Sequence, residues 1–118
     1  MYWIADLIII CIALEHIYFL VLEMFLWDKP VGLRVFGQTK EAATSSRVLA
    51  ANQGLYNGFL AAGLIWGLIL GPEGSPIKLF FLVCISIAGI FGAVTVNKRI
   101  LLVQAVPAVV GLILLLAA

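Results

Sequence analysis

Residues 3–27 read WIADLIIICIALEHIYFLVLEMFLW, an apolar run that Glu15, His16 and Glu23 interrupt at its middle and near its end. The length of the run matches the roughly 20 residues that a helix needs to cross the hydrocarbon of a bilayer. Ionisable groups cost at least about 2.5 to 3.5 kcal/mol each at the centre of such a helix, so they normally face other helices. We therefore predict a membrane helix that carries a functional site.

The rest of the chain extends this prediction. Hydrophobic residues make up 64% of the 118 residues and charged residues only 11%, and the mean hydropathy is +1.20. A soluble domain of this length would need far more polar surface. We predict an all-α, integral membrane four-helix transmembrane bundle in which residues 1–118 form a single domain. Its spans would cover residues 3–27, 48–70, 78–97 and 100–118, with a loop at 28–47.

The basic residues predict the orientation of these spans. With an even number of spans, the first loop and the hinge between the last two spans lie on one side, and the opposite side has only Lys78. Because basic loops stay inside, we expect a multi-pass protein of the bacterial cytoplasmic membrane with both termini outside. No basic residue precedes the first run, which argues against a cleavable signal peptide. The loop would lie on the membrane surface, with Thr44, Ser45 and Ser46 as N-cap candidates for the second span.

Polar side chains gather in the cytoplasmic half of the predicted bundle. His16 and Glu23 are seven residues apart and share a helix face, as do Gln53 and Asn57, which are four apart. We predict a polar pocket that opens toward the cytoplasm. Its ligand-binding or proton-coupling residues would be Glu15, His16, Glu23, Asn52, Gln53, Tyr56, Asn57 and Gln104. The structural alternative is that the amides only form hydrogen bonds between helices.

Other classes of site find little support in the sequence. A lone histidine makes a zinc site within one subunit improbable, and Cys11 and Cys84 sit inside predicted spans, where cysteine usually packs as a small apolar residue. We expect no metal, no cofactor and no nucleic-acid partner. The expected partners are the lipid bilayer, further copies of the chain in a homo-oligomer, and a small hydrophobic or amphipathic ligand.

Two stretches resemble a known family. Residues 22–27 read LEMFLW and residues 52–64 read NQGLYNGFLAAGL, with Phe36 and Gly37 between them. These stretches are similar to the bacterial family called domain of unknown function 1304, and the likeness runs through nearly the whole chain. The resemblance implies a small multi-pass membrane protein and brings no activity or catalytic residue with it.

Three functions remain open at this stage. The first is a binder or transporter of a small molecule in which Glu15, His16 or Glu23 exchanges a proton as the cargo binds. The second is an intramembrane enzyme that uses His16 and Glu23 as acid and base on a lipid or isoprenoid-like substrate, although about 10 Å of helix rise separates the two residues. The third is a structural subunit of a membrane complex.

Overall fold

The computed structural model describes residues 2–118, and over that range the chain forms helices and no strands. This confirms the all-α prediction. The helices are α1 (Tyr2–Phe25), α2 (Pro30–Phe36), α3 (Lys40–Ile69), α4 (Ser75–Thr95) and α5 (Val106–Ala117). A 3₁₀ turn (Gly71–Gly74) precedes α4, and a π-helical turn (Leu101–Ala105) leads into α5.

Two segments are long and apolar enough to cross a membrane, Tyr2–Phe25 and Gly71–Thr95. The apolar helix Leu101–Ala117 is shorter. Helix α3 has the length, with 30 residues, but charged residues at its start and the amides that follow lower its hydropathy. The structure thus supports membrane association through two helices, and four spans remain a prediction.

Contacts divide the chain into two compact units, to which α1 and α3 both contribute. The first consists of residues 2–13 and Ala62–Ala118 and is called the α4–α5 unit. The second consists of Leu14–Ala61 and is called the loop unit.

Glycines allow close helix packing in the α4–α5 unit. A Cβ atom added at Gly63 would overlap the ring of Phe81, and one added at Gly89 would lie 2.7 Å from the backbone nitrogen of Ala105. Close approach of backbones is a common way to pack helices where lipid gives no hydrophobic driving force. The fully buried core of this unit consists of Ala5, Ile9, Leu64, Leu82, Ile85 and Ala108.

In the loop unit, α1 and α3 run antiparallel. Gly58 of α3 faces Leu20 of α1, and Gly54 faces Met24. This pairing brings the last residues of α1 level with Gln53, so residues 40–52 of α3 extend past the end of α1. We call these residues the α3 extension.

The connection between α1 and α3 is more helical than the sequence predicts. Helix α3 begins at Lys40, and the hydroxyl of Thr39 accepts a hydrogen bond from the backbone nitrogen of Ala42 at 3.1 Å. The prediction that Thr44, Ser45 and Ser46 cap this helix is therefore wrong. The hydroxyls of Ser45 and Ser46 instead donate to the carbonyl of Ala42 inside the helix. Hydropathy marks only the apolar part of a helix, whereas good helix formers such as Ala42 and Ala43 extend it.

The connecting segment folds against the α3 extension. Nε1 of Trp27 donates to Oγ of Ser46 at 3.0 Å, and the Trp27 ring packs on Phe36 of α2 with 4.7 Å between ring centroids. A salt bridge of 3.6 Å joins Arg47 to Asp28. These contacts give the segment predicted as a loop at 28–47 a defined structure.

Candidate functional site

A buried hydrogen bond joins α1 and α3. Oε1 of Glu23 accepts from Nδ2 of Asn57 at 2.5 Å, and the two residues are only 4% and 9% exposed. The Cβ that Gly54 lacks would lie 3.1 Å from Cβ of Glu23, so the glycine leaves room for the carboxylate beside α3. A carboxyl group taken out of water is costly unless it is hydrogen-bonded, and Asn57 supplies that bond.

His16 lies on the same face of α1 as Glu23 and is fully buried. Its ring meets Phe19 edge-on, with 5.5 Å between centroids and 74° between planes. Seven residues of helix separate His16 from Glu23, which corresponds to about 10 Å along the axis. The two side chains therefore mark a buried polar face on the part of α1 that belongs to the loop unit.

Glu15 is half-buried on α1. Its Oε1 atom is shielded from solvent and has no hydrogen-bond partner within residues 2–118. Buried polar atoms are nearly always hydrogen-bonded, so an unsatisfied carboxyl oxygen indicates that a water, a ligand or another chain supplies the missing hydrogen bond. The role of Glu15 in ligand binding or proton coupling stays a prediction.

The structure does not join the three predicted residues Asn52, Gln53 and Tyr56 to the buried pair. All three are exposed, and within residues 2–118 none of them forms a hydrogen bond with Glu23 or Asn57. The amide of Asn52 donates to the carbonyl of Val48 at 2.9 Å. The three residues lie outside the face of α3, marked by the buried Gly54 and Asn57, that packs on α1.

Gln104 lies in the π-helical turn of the α4–α5 unit, and its Nε2 donates to the carbonyl of Ile85 in α4 at 3.3 Å. This is the interhelical hydrogen bond that the structural alternative predicts for an amide in an apolar helix. Gln104 therefore has an assigned partner within its own unit.

The sequence did not predict the ion pair between Asp6 and Lys78. Nζ of Lys78 lies 2.8 Å from Oδ1 of Asp6, and Lys78 is only 1% exposed, whereas the Asp6 side chain is 34% exposed. The stem of Lys78 rests on Gly67, where an added Cβ would lie 2.7 Å from its Cγ. The only sequence signal for this ion pair was that one acidic and one basic residue each lie within the first turns of an apolar helix.

Comparison with known proteins identifies the family. The family model for "Protein of unknown function (DUF1304)" matches residues 10–116. A relative from Lactococcus lactis subsp. lactis (strain IL1403), described as "Uncharacterized protein YpaA", is 36% identical over 104 residues, which cover 86% of this chain and 87% of the relative. No solved structure shows significant similarity to the chain. With a match over nearly its whole length, this protein belongs to the DUF1304 family.

Proposed function

We propose that this protein is a multi-pass membrane protein that binds or transports a small molecule through a polar site centred on Glu23 and Asn57. The observation that carries the proposal is the buried hydrogen bond between these side chains, on the same face of α1 as the buried ring of His16. Ionisable groups inside apolar helices are expensive and mark ligand or proton pathways. Glu15 adds a carboxyl oxygen that still needs a partner.

The proposal includes four membrane spans, with α3 and Leu101–Ala117 crossing alongside the two longer apolar segments. The basic connections then lie in the cytoplasm and both termini lie outside, in keeping with the distribution of lysine and arginine. A homo-oligomer would cover the exposed apolar surface that one chain of this size presents. Under this arrangement, the exposed amides of Asn52 and Gln53 lie near the cytoplasmic membrane surface, level with the end of α1.

Binding is favoured over acid–base catalysis because the carboxyl group of Glu23 is held by the amide of Asn57, and His16 lies two helical turns away. Two side chains that fix each other by a hydrogen bond, as Glu23 and Asn57 do, suit the recognition and proton-dependent release of a cargo. It does not place two reactive groups on adjacent atoms of a substrate.

Untargeted mass spectrometry of molecules released from the purified protein tests this function. We expect a small molecule to co-purify with the wild-type protein and with Glu41→Gln, which changes an exposed glutamate. We expect Glu23→Gln to lose it. The released compound, added to proteoliposomes loaded with a pH-sensitive dye, should produce a proton flux that Glu23→Gln abolishes. Equal recovery from Glu23→Gln and the wild type, or no compound above a mock purification, would refute the proposed site.

Labelling with a membrane-impermeant maleimide tests the orientation. In a chain with Cys11 and Cys84 replaced by serine, Glu73→Cys should react in intact cells. Glu41→Cys and Lys98→Cys should react only after the cells are opened. Labelling of all three in intact cells would contradict the four-span arrangement.

A further inference from the structure

The α4–α5 unit has an apolar groove on its surface beside the π-helical turn. The groove has a volume of about 250 Å³ and is lined only by aliphatic side chains: Ile90, Leu101, Ala105, Val106, Val109 and Val110. The volume is below the roughly 300 to 1,000 Å³ of pockets that enclose drug-sized ligands. A groove of this size and chemistry fits a segment of hydrocarbon chain better than a whole polar molecule.

Two exposed cations lie just before the groove-lining residue Leu101 in the chain. Lys98 and Arg99 are exposed, and Arg99 already belongs to the helical turn that continues into the π-helical turn at Leu101. Oδ1 of Asn97 accepts a hydrogen bond from the backbone nitrogen of Arg99 at 2.9 Å, which gives the hinge a defined turn. Within residues 2–118, the ion pairs involve Arg47 and Lys78, so the two hinge cations have no carboxylate partner.

A pair of cations followed along the helix by an aliphatic groove fits one class of molecule. From Leu101 to Val109 the helix rises about 12 Å, so a chain lying along the groove would start next to the cations and run away from them. An aqueous phosphate could use the two cations but not the groove, and a neutral lipid could use the groove but not the cations. A phospholipid with a net negative headgroup uses both.

We propose that the Lys98–Arg99 hinge and the groove between α4 and α5 together bind one anionic phospholipid. The phosphodiester pairs with the two basic side chains, and one acyl chain lies against the aliphatic residues. Basic residues at the cytoplasmic ends of membrane helices attract anionic lipids in this manner. The inference rests on the membrane placement proposed above but involves none of the residues proposed for the polar site.

Native mass spectrometry of the delipidated protein in detergent, titrated with dioleoyl phosphatidylglycerol or dioleoyl phosphatidylcholine, tests the proposal. We expect one phosphatidylglycerol per chain and at least tenfold weaker binding of phosphatidylcholine. The double change Lys98→Gln with Arg99→Gln should weaken phosphatidylglycerol binding about 30-fold, because each basic residue near a membrane surface contributes about a factor of five.

Matched variants distinguish lipid binding at this site from nonspecific electrostatic attraction of the lipid to basic residues. Lys29→Gln with Arg34→Gln removes the same charge from exposed positions of the loop unit and should leave the affinity within about twofold of the wild type. Val109→Phe fills the groove at a partly exposed position and should weaken phosphatidylglycerol binding without removing charge. Circular dichroism checks that each variant remains helical.

Three results would overturn the lipid site: equal affinity for the two lipids, an equal loss in both double variants, or full binding by Val109→Phe. Glu23→Gln should bind phosphatidylglycerol as the wild type does. Loss of the co-purifying molecule in that variant with lipid binding intact would support both proposals. Retention of the molecule would refute only the polar site.

Discussion

The ion pair between Asp6 and Lys78 yields the sharpest prediction, because its two partners differ in exposure. Asp6→Asn removes the carboxylate and leaves the ammonium group of Lys78, which is 1% exposed, without its partner. Lys78→Met removes the charge but keeps an unbranched stem that can still pack on Gly67. The carboxylate that remains at Asp6 is 34% exposed and can be solvated.

The magnitudes follow from this difference. Leaving a buried charge unpaired costs about 3 kcal/mol of folding free energy, and we expect a loss of this size for Asp6→Asn. A partly exposed pair contributes about 1 kcal/mol or less, which we expect for Lys78→Met. The double variant removes both charges and should be no less stable than Lys78→Met alone, giving a coupling free energy of about 3 kcal/mol or more.

Unfolding in mixed micelles, with increasing dodecyl sulfate and detection by circular dichroism, measures these free energies. Glu41→Gln, at an exposed position, is the control and should change the free energy of unfolding by less than about 0.5 kcal/mol. Equal losses at Asp6 and Lys78, or a double variant whose loss equals the two single losses added, would refute the reasoning.

The same titration tests the hydrogen bond between Glu23 and Asn57. Glu23→Ala leaves the Asn57 amide buried and unpaired and should lower the free energy of unfolding by about 2 kcal/mol. Glu23→Gln can still accept the hydrogen bond and should lower it by less than about 1 kcal/mol. Equal costs would mean that the hydrogen bond contributes nothing. Gly89→Ala should cost about 1 to 3 kcal/mol, because its Cβ would lie 2.7 Å from the backbone of Ala105; unchanged stability would contradict this close approach. Trp27→Phe keeps an aromatic side chain, although a smaller one, and loses the donor to Ser46, so hydrogen exchange measured by mass spectrometry should accelerate in residues 28–39. Unaltered exchange there would argue against a stabilising role for this bond.

The sequence was sufficient to predict an all-α fold, because long apolar runs with few turn residues are typical of helices. It failed where helices continue through polar residues. Nothing in hydropathy marks α2, whose start depends on the fixed backbone of Pro30 and whose end depends on Gly37 with a φ of 63°. Likewise, the hydropathy of residues 40–47 does not reveal that they already belong to α3.

The candidate site was predictable to the extent that it depends on depth along a helix. Counting residues from the helix ends placed Glu23 and Asn57 at similar depths, and the structure joins them. The same counting grouped Gln53 with them, because helical spacing does not show where the edge of the contact between α3 and α1 lies. The partner of Lys78 was missed for a related reason, since a single charge in an apolar run does not indicate which helix supplies its counter-charge.

The π-helical turn at Leu101–Ala105 has a consequence for the evolution of the last helix. A π turn holds one residue more than an α turn over the same rise, so it behaves as a one-residue insertion accommodated within a helix. Pro107 lies two residues after this turn and has no backbone N–H to donate to the carbonyls of the turn. A homologue that lacks one residue between Ile100 and Val106 would therefore keep the apolar residues of α5 in register with α4. Sequence alignments of such homologues should place their single-residue gaps at this turn and not in the regular helix that follows.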